Sequence, residues 1–314
     1  MGARLILKLI LSKSNYIKIY GHRGARGVLP ENTLGSFQYL FDNNISAYET
    51  DILISKDSVP VITHDFHLDP NLTKDEKGNW LEDENIKIID LTYDQISKYE
   101  VGSLNKLTKY GRRFLNQKKL ENQKIPKVSE LLDLTLKNNI SNLVINLEIK
   151  STPVQESLTP SPEEMVKIVL KEVNQFNLTD KIIYSSFDWR VLREIKNYNP
   201  EIPRAYLSFE QQSTGSFGNI YDQSPWMDFT PLHNNVDLPK LIKALGGQAW
   251  HPFYRNVTEK IINISHNENL PVNVWTVNDE EDMLRMIDIG VDGIMTDYPV
   301  QLKELCEKKN INWF

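Results

Sequence analysis

The 314-residue chain contains a single cysteine, Cys306. A disulfide framework within the chain is therefore excluded, and the expected compartment leans towards the cytoplasm. There is no lysine- and arginine-rich run, and the formal net charge is −6. A nucleic-acid partner, which needs a basic surface to track phosphates, is disfavoured. Long apolar runs are missing too. Leu5 to Leu11 is broken by Lys8 and is too short to cross a bilayer, and no A-x-A-like cleavage site follows it. This stretch reads as a short N-terminal helix closing the floor of the fold. Contact with a membrane surface is the less favoured alternative. Neither an internal repeat nor a low-complexity tract is present.

What remains is ordinary globular material: 40% hydrophobic and 25% charged residues, enough for a large core. The length suits either two domains or one barrel of alternating strands and helices, which takes about 250 residues, with an insertion.

Strand-like and helix-like stretches alternate along the chain, as in a parallel α/β fold. Eight runs read as strands, at 16–20, 47–55, 143–149, 181–185, 204–208, 248–252, 272–277 and 293–296. The run 59–64 reads as a second extended run beside the second strand and is counted as its extension. Helices are expected at 34–44, 128–138, 162–174, 189–197, 238–244, 257–268 and 280–288, with Ser161 capping the third and Pro162 at its first position. Alternation alone fits an open doubly wound sheet as well as a closed barrel. Two polar segments, 66–124 and 210–236, are too long for ordinary connections and read as insertions decorating one end.

Chemistry concentrates at strand ends. Glu49 and Asp51 lie two apart in a strand, so their carboxylates share a face. Two like charges on a buried face are costly unless a cation sits between them, and carboxylate oxygens suit Mg2+ or Ca2+. The alternative is a pair of ordinary acids on a solvated strand edge. Glu148 and Lys150, also two apart, end a strongly apolar strand. Glu148 can supply a third carboxylate and Lys150 a point charge for phosphate, or the two form a simple surface ion pair. His22-Arg23-Gly24 follows the first strand, and His64-Asp65 ends the run after the second. Two imidazoles can divide acid and base work near neutral pH, and Arg23 offers a planar fork for phosphate oxygens. His67, His233, His251 and His266 are read as structural, with His251 the one most worth watching. Trp275, at the end of the seventh strand, either packs on a substrate or fills the core.

Taken in order, His22-Arg23-Gly24, Pro30-Glu31-Asn32-Thr33, Glu49-Thr50-Asp51, His64-Asp65 and Glu148-Ile149-Lys150 resemble the motifs of glycerophosphodiester phosphodiesterases. So do Ser186-Phe187-Asp188-Trp189, Val274-Trp275-Thr276-Val277-Asn278 and the run from Gly290 to Asp297. The resemblance spans residues from about 20 to 300. It implies one (β/α)8 TIM-barrel domain over 1–314, with 66–124 as a subdomain inserted after the second strand. It implies one divalent cation, Mg2+ or Ca2+, held by Glu49, Asp51 and Glu148, with His22 and His64 as the acid/base pair. Arg23, Lys150 and Trp275 would then bind a small glycerophosphodiester. The hydroxyl next to the ester would attack phosphorus, and water would open the resulting cyclic phosphate, giving glycerol 3-phosphate and an alcohol. Glu31 and Asn32 are expected to shape the loop after the first strand, and Asp292 and Asp297 to be turn and strand-end residues. The sequence departs from the family in lacking an arginine soon after His64-Asp65, which leaves headgroup preference open. The alternatives are a lysophospholipase D-like or sphingomyelinase D-like enzyme and a catalytically silent phosphoester-binding barrel. Against the last stands the presence of both histidines and all three carboxylates.

Overall fold

The structure is a computed structural model that describes residues 16–210, 218–232 and 237–314. The expected N-terminal helix, His233 and parts of the 210–236 segment lie outside the described residues.

Each of the eight expected strands forms. They are β1 (Tyr16–His22), β2 (Ala47–Ile54), β4 (Val144–Ile149), β5 (Ile182–Ser186), β6 (Arg204–Ser208), β7 (Ala249–Pro252), β8 (Asn273–Val274) and β9 (Gly293–Thr296). All pair in parallel, in the order β7-β6-β5-β4-β2-β1-β9-β8. The ring is nearly closed between β7 and β8, where two isolated parallel bridges join Trp250 to Val272 and Phe253 to Trp275. A TIM barrel therefore forms, and the open doubly wound alternative is excluded.

Strand periodicity sorts the side chains. Tyr48 of β2 points out to α1 (Leu34–Asp42), its ring 5.2 Å from Phe37 and 6.0 Å from Phe41. Its hydroxyl meets Thr135 of α3 (Val128–Asn138) at 2.9 Å. Ile17, Ile19, Ile145, Leu147 and Ile149 join the same apolar layer between strands and helices. Because side chains alternate along a strand, Ala47, Glu49 and Asp51, like Asn146 and Glu148, point into the barrel. Tyr20, Ala47, Val144 and Met295 pack together in its lower interior.

Local chemistry sets the helix starts. Thr33 caps α1 by accepting from Ser36 N, and, as expected, Ser161 caps α4 (Pro162–Val173) with Pro162 in its first turn. Asp188 caps α5 (Trp189–Tyr198). Further on come α6 (Leu238–Leu245), α7 (Glu259–Asn267), α8 (Glu280–Asp288) and α9 (Pro299–Lys308). α9 and the terminal strand β10 (Asn312–Trp313) fall after the last expected element. β10 pairs with the start of β1 and lays the Phe314 ring 5.6 Å from the Lys18 ammonium at the barrel floor.

One expectation is corrected. The run 59–64 does not extend β2. Instead, β3 (Pro60–Ile62) returns antiparallel along Ile52–Ile54. The reversal follows from turn chemistry: Ser58 adopts φ +62°, the Ser55 hydroxyl donates to Asp57, and Val59 N donates back to Ser55 Oγ. Within 66–124 the regular pieces are short 3-10 turns and α2 (Tyr93–Ile96), which starts in a Thr92–Gln95 capping box. Leu68, Ile88 and Ile96 from this segment pack with Leu53, Val61 and Ile125 against the outside of the β2–β3 hairpin.

Phe37 is fully buried between α1 and β2. Phe37→Ala is expected to cost about 3–5 kcal/mol, the range for emptying a core aromatic site. Urea unfolding would show it, and a loss well under that range would mean the α1–β2 layer collapses freely.

Candidate active site

Parallel barrel strands deliver their C-terminal ends to one mouth, and that mouth holds the predicted residues. Glu49 and Asp51 from β2 and Glu148 from β4 are all buried, and one carboxylate oxygen from each lies within 4.8 Å of the others. Glu49 Oε1 is buried without a hydrogen-bond partner. Burial, then the charges of Asp51 and Glu148, push the Glu49 carboxyl well above the usual carboxylate range. Three acids converging in a buried site, one with an orphaned oxygen, make a donor set that fits a hard metal ion. The triad could hold one.

The surrounding cations oppose the repulsion. Lys150 Nζ stands 2.9 Å from Glu148 Oε1 and 3.7 Å from Asp51 Oδ1. Burial lowers its pKa, but Glu148 and Asp51 outweigh that and raise it. Asp51 shows the mirror image. Burial raises it, yet Arg23 foremost, with His64, Lys150 and Asn32, holds it well below the carboxylate range. Arg23 Nε lies 3.2 Å from Asp51 Oδ2, and its Nη1 donates to Glu31 Oε1 at 2.7 Å. Its backbone N–H donates to Glu49 Oε2 at 3.1 Å.

The loop between β1 and α1 is shaped for these contacts. Arg23 itself has φ +52° and Gly24 φ +83°, and a Cβ on Gly24 would sit 2.4 Å from Ser36 Oγ. Asn32, at φ +54°, donates to Asp51 Oδ2 at 3.0 Å and accepts from Thr50 Oγ1 at 3.0 Å. The Glu31 and Asn32 side chains thus fix the loop by bracing Arg23 and Asp51.

Both histidines reach the mouth by different routes. His22 is the last residue of β1, its Nε2 3.8 Å from Glu49 Oε2. Its Nδ1 bonds Asp297 Oδ1 at 2.7 Å. Burial and then the charge of Arg26 depress the His22 pKa to about 4, with Asp297 opposing. His64 arrives because β3 doubles back, and the Thr63 backbone N–H donates to Asp51 O at 3.2 Å. The His64 Nδ1 meets Asp65 Oδ1 at 2.8 Å. His22, Arg23, Glu49, His64, Glu148 and Trp275 all border one cavity of about 510 Å3. Trp275 is half-buried and pinned through Nε1 to His251 O at 2.8 Å.

Asp297 is the residue whose importance the sequence reading missed. Beyond holding His22, it forks Arg26 through Nε (2.8 Å) and Nη2 (2.9 Å), and it accepts from Asn278 Nδ2 at 2.7 Å. Burial raises its pKa, but Arg26 and His22 more than offset that and hold it far below the carboxylate range. The available signal was an acid one residue past a barrel strand, the same logic that singled out Glu148. Asn146, beneath Glu148 on β4, was missed as well. It borders the cavity with both amide atoms buried and unpartnered. His251 is buried below the mouth, its Nε2 meeting Asn273 Nδ2 at 2.9 Å, and burial followed by the Lys18 charge pushes its pKa down to about 3. His266 pairs with Asp292 at 2.9 Å, and Asp292 also accepts from Val272 N, a structural pairing as expected.

No helix among the described residues is long and apolar enough to cross a membrane. Comparison with known proteins agrees with the fold and the motifs. A glycerophosphodiester phosphodiesterase of Caldanaerobacter subterraneus subsp. tengcongensis is 27% identical over 92% of this chain and 98% of its own. The crystal structure of a Silicibacter pomeroyi protein assigned as a glycerophosphoryl diester phosphodiesterase superposes with a TM-score of 0.86 at 34% identity, covering 98% of this chain and 99% of that one. An Oleispira antarctica phosphodiesterase, solved with its product sn-glycerol-3-phosphate, shares the fold at a TM-score of 0.68 and 20% identity over 93% and 97% of the two chains. The pattern of the glycerophosphoryl diester phosphodiesterase family matches residues 22–301, and the chain belongs to that family of enzymes.

Proposed function

We propose that the enzyme hydrolyses small glycerophosphodiesters to glycerol 3-phosphate and an alcohol, using Glu49, Asp51 and Glu148 to hold one divalent cation, Mg2+ or Ca2+. The observation that carries this reading is the His22 imidazole, fixed through Nδ1 to a buried carboxylate with Nε2 directed at the acidic triad. When bound, such a cation supplies Lewis-acid polarisation of the phosphoryl oxygens.

The side chains do the rest. An Nδ1–H donated to Asp297 leaves the His22 Nε2 lone pair free, and its depressed pKa keeps the ring neutral near pH 7. His22 therefore takes the proton from the glycerol hydroxyl next to the phosphoester as that oxygen bonds to phosphorus. His64, oriented by Asp65, gives a proton to the departing alcohol oxygen as its P–O bond breaks. In the second step the roles reverse: water loses a proton to His64, and the ring-opened glycerol oxygen regains one from His22. Arg23 and Lys150 spread the negative charge that builds on the phosphoryl group. The Asp297–Arg26–Asn278 cluster acts on the reaction through His22, which Asp297 holds at Nδ1.

Release of glycerol 3-phosphate from glycerophosphoethanolamine is expected to stop with EDTA and return with Mg2+ or Ca2+. Turnover indifferent to chelation would remove the cation from the scheme. His22→Ala should lower kcat by roughly 10²–10⁴-fold, the usual contribution of a positioned acid or base, with the melting profile preserved. Wild-type rates in that variant would take His22 out of the reaction. Glu49→Gln should weaken cation binding measured by calorimetry, and an unchanged isotherm would place the ion elsewhere. Asp297 also predicts a pH signature. A carboxyl depressed on folding stabilises above its unfolded pKa of about 4, and that contribution is lost as pH falls towards the folded value. Asp297→Asn should therefore lower the melting temperature most at pH 6–7, with the gap to wild type narrowing below about pH 4. A gap constant with pH would mean that Asp297 does not stabilise through its charge.

A further inference from the structure

A second cavity, of about 340 Å3, adjoins the first and shares Glu148, Phe187 and Trp275 with it. Its wall is aromatic: Phe66, Phe187, Phe209, Trp226 and Trp275 all border it, and all five side chains are half-buried, with Phe66 and Trp275 also resting on neighbouring core residues. The rings support one another, with Phe187 and Trp275 edge-on at 5.3 Å and Phe209 6.2 Å from Trp275. Apolar rings left facing an open cavity beside an acidic triad have an evident use for a ligand and a cost without one.

The wall is built rather than left over. Asn219, buried, ties three of its loops together. It accepts from Phe209 N at 2.6 Å and donates to Leu207 O at 3.2 Å and Phe187 O at 3.4 Å. Ser224, two residues before Trp226, donates to Asn219 O at 2.7 Å, and the buried Met227 anchors the turn that carries the tryptophan. The bordering residues that carry charge are Lys150 and Glu148, paired at 2.9 Å, and the Lys150 ammonium lies 5.9 Å from the Phe187 ring. The described wall therefore offers no unpaired acid to a cationic headgroup. The neighbouring cavity is the more polar of the two: besides Phe187, Leu207, Phe253 and Trp275 it is bordered by Arg26, Arg255, Asn278 and Asp279, groups suited to hydroxyls.

A phosphodiester held at the triad has two ester arms, and the two cavities divide them by chemistry. We propose that the polar cavity takes the glycerol and that the aromatic cavity takes the leaving alcohol, selecting alcohols with an apolar body over cationic headgroups. Trp226 is a specificity-determining residue on this assignment, which rests on the reaction proposed above.

The test compares kcat/KM for glycerophosphodiesters carrying a hexyl, an ethanolamine or a choline arm. The hexyl ester should be preferred. Trp226→Ala should lower the hexyl-to-ethanolamine ratio about tenfold, the scale of losing one large aromatic contact, and Trp226→Phe should restore most of it. Inhibition of the wild type by 1-hexanol, lost in Trp226→Ala, would place the apolar product in the same cavity without reference to turnover. Far-UV circular dichroism and melting of both variants check folding. An unchanged ratio overturns the assignment, as does selective loss of the choline ester, which would make the wall an ammonium cage. Wild-type turnover of the ethanolamine ester with no gain from the hexyl arm overturns the aromatic assignment alone. Absence of turnover on all three esters overturns the reaction and the assignment together.

Discussion

Electrostatic repulsion among Glu49, Asp51 and Glu148 is the constraint around which this barrel mouth is organised. Three buried carboxylates at such separations cannot all stay ionised without compensation. The surroundings supply it in layers: Lys150 and Arg23 by charge, Asn32 by donation to Asp51, and the Arg23 backbone by donation to Glu49. Glu31 and the Tyr110 hydroxyl complete the sequence by fixing Arg23, with Tyr110 2.5 Å from Glu31 Oε2. Tyr110 comes from the 66–124 segment. That segment therefore braces the acidic site as well as covering the outside of the β2–β3 hairpin.

A second buried charge cluster stands beside the first. Asp297 at the end of β9 gathers Arg26, His22 and Asn278 around one carboxylate. His22 sits between the two clusters, with one nitrogen on Asp297 and the other facing Glu49. Its environment explains why the ring stays neutral: burial and Arg26 disfavour a further positive charge, and Asp297 only partly offsets them. A neutral, oriented imidazole results from burying it beside Arg26 while Asp297 holds one ring nitrogen.

The strand-end logic that locates chemistry in a (β/α)8 barrel made much of this readable from the sequence. Glu49 and Asp51, two apart, had to share a face, and Glu148 with Lys150 had to end a buried strand. The structure brings the three carboxylates together because the β2–β4 register pairs Asp51 with Glu148. Asp297 escaped notice because its position just past a strand marks only a possible site acid, and its partners His22 and Arg26 lie at the other end of the chain. His64 reaches the mouth through a reversal of the chain that the sequence pattern does not show. A run that looks like continued strand reverses at Ser58, and only that reversal returns the imidazole to the level of Asp51.

By itself the sequence determined the alternation of elements, the eight strands, the Ser161 cap and which side chains share a strand face, because these depend on periods of two or 3.6 residues and on neighbours within one turn. Tertiary structure decided the closing of the ring at β7 and β8, the contact between His22 Nδ1 and Asp297, and the division of the mouth into a more polar and an aromatic cavity. Each of these depends on the distance between residues remote in the chain. Such distances are set by register and by the packing of the whole barrel, which no local pattern encodes.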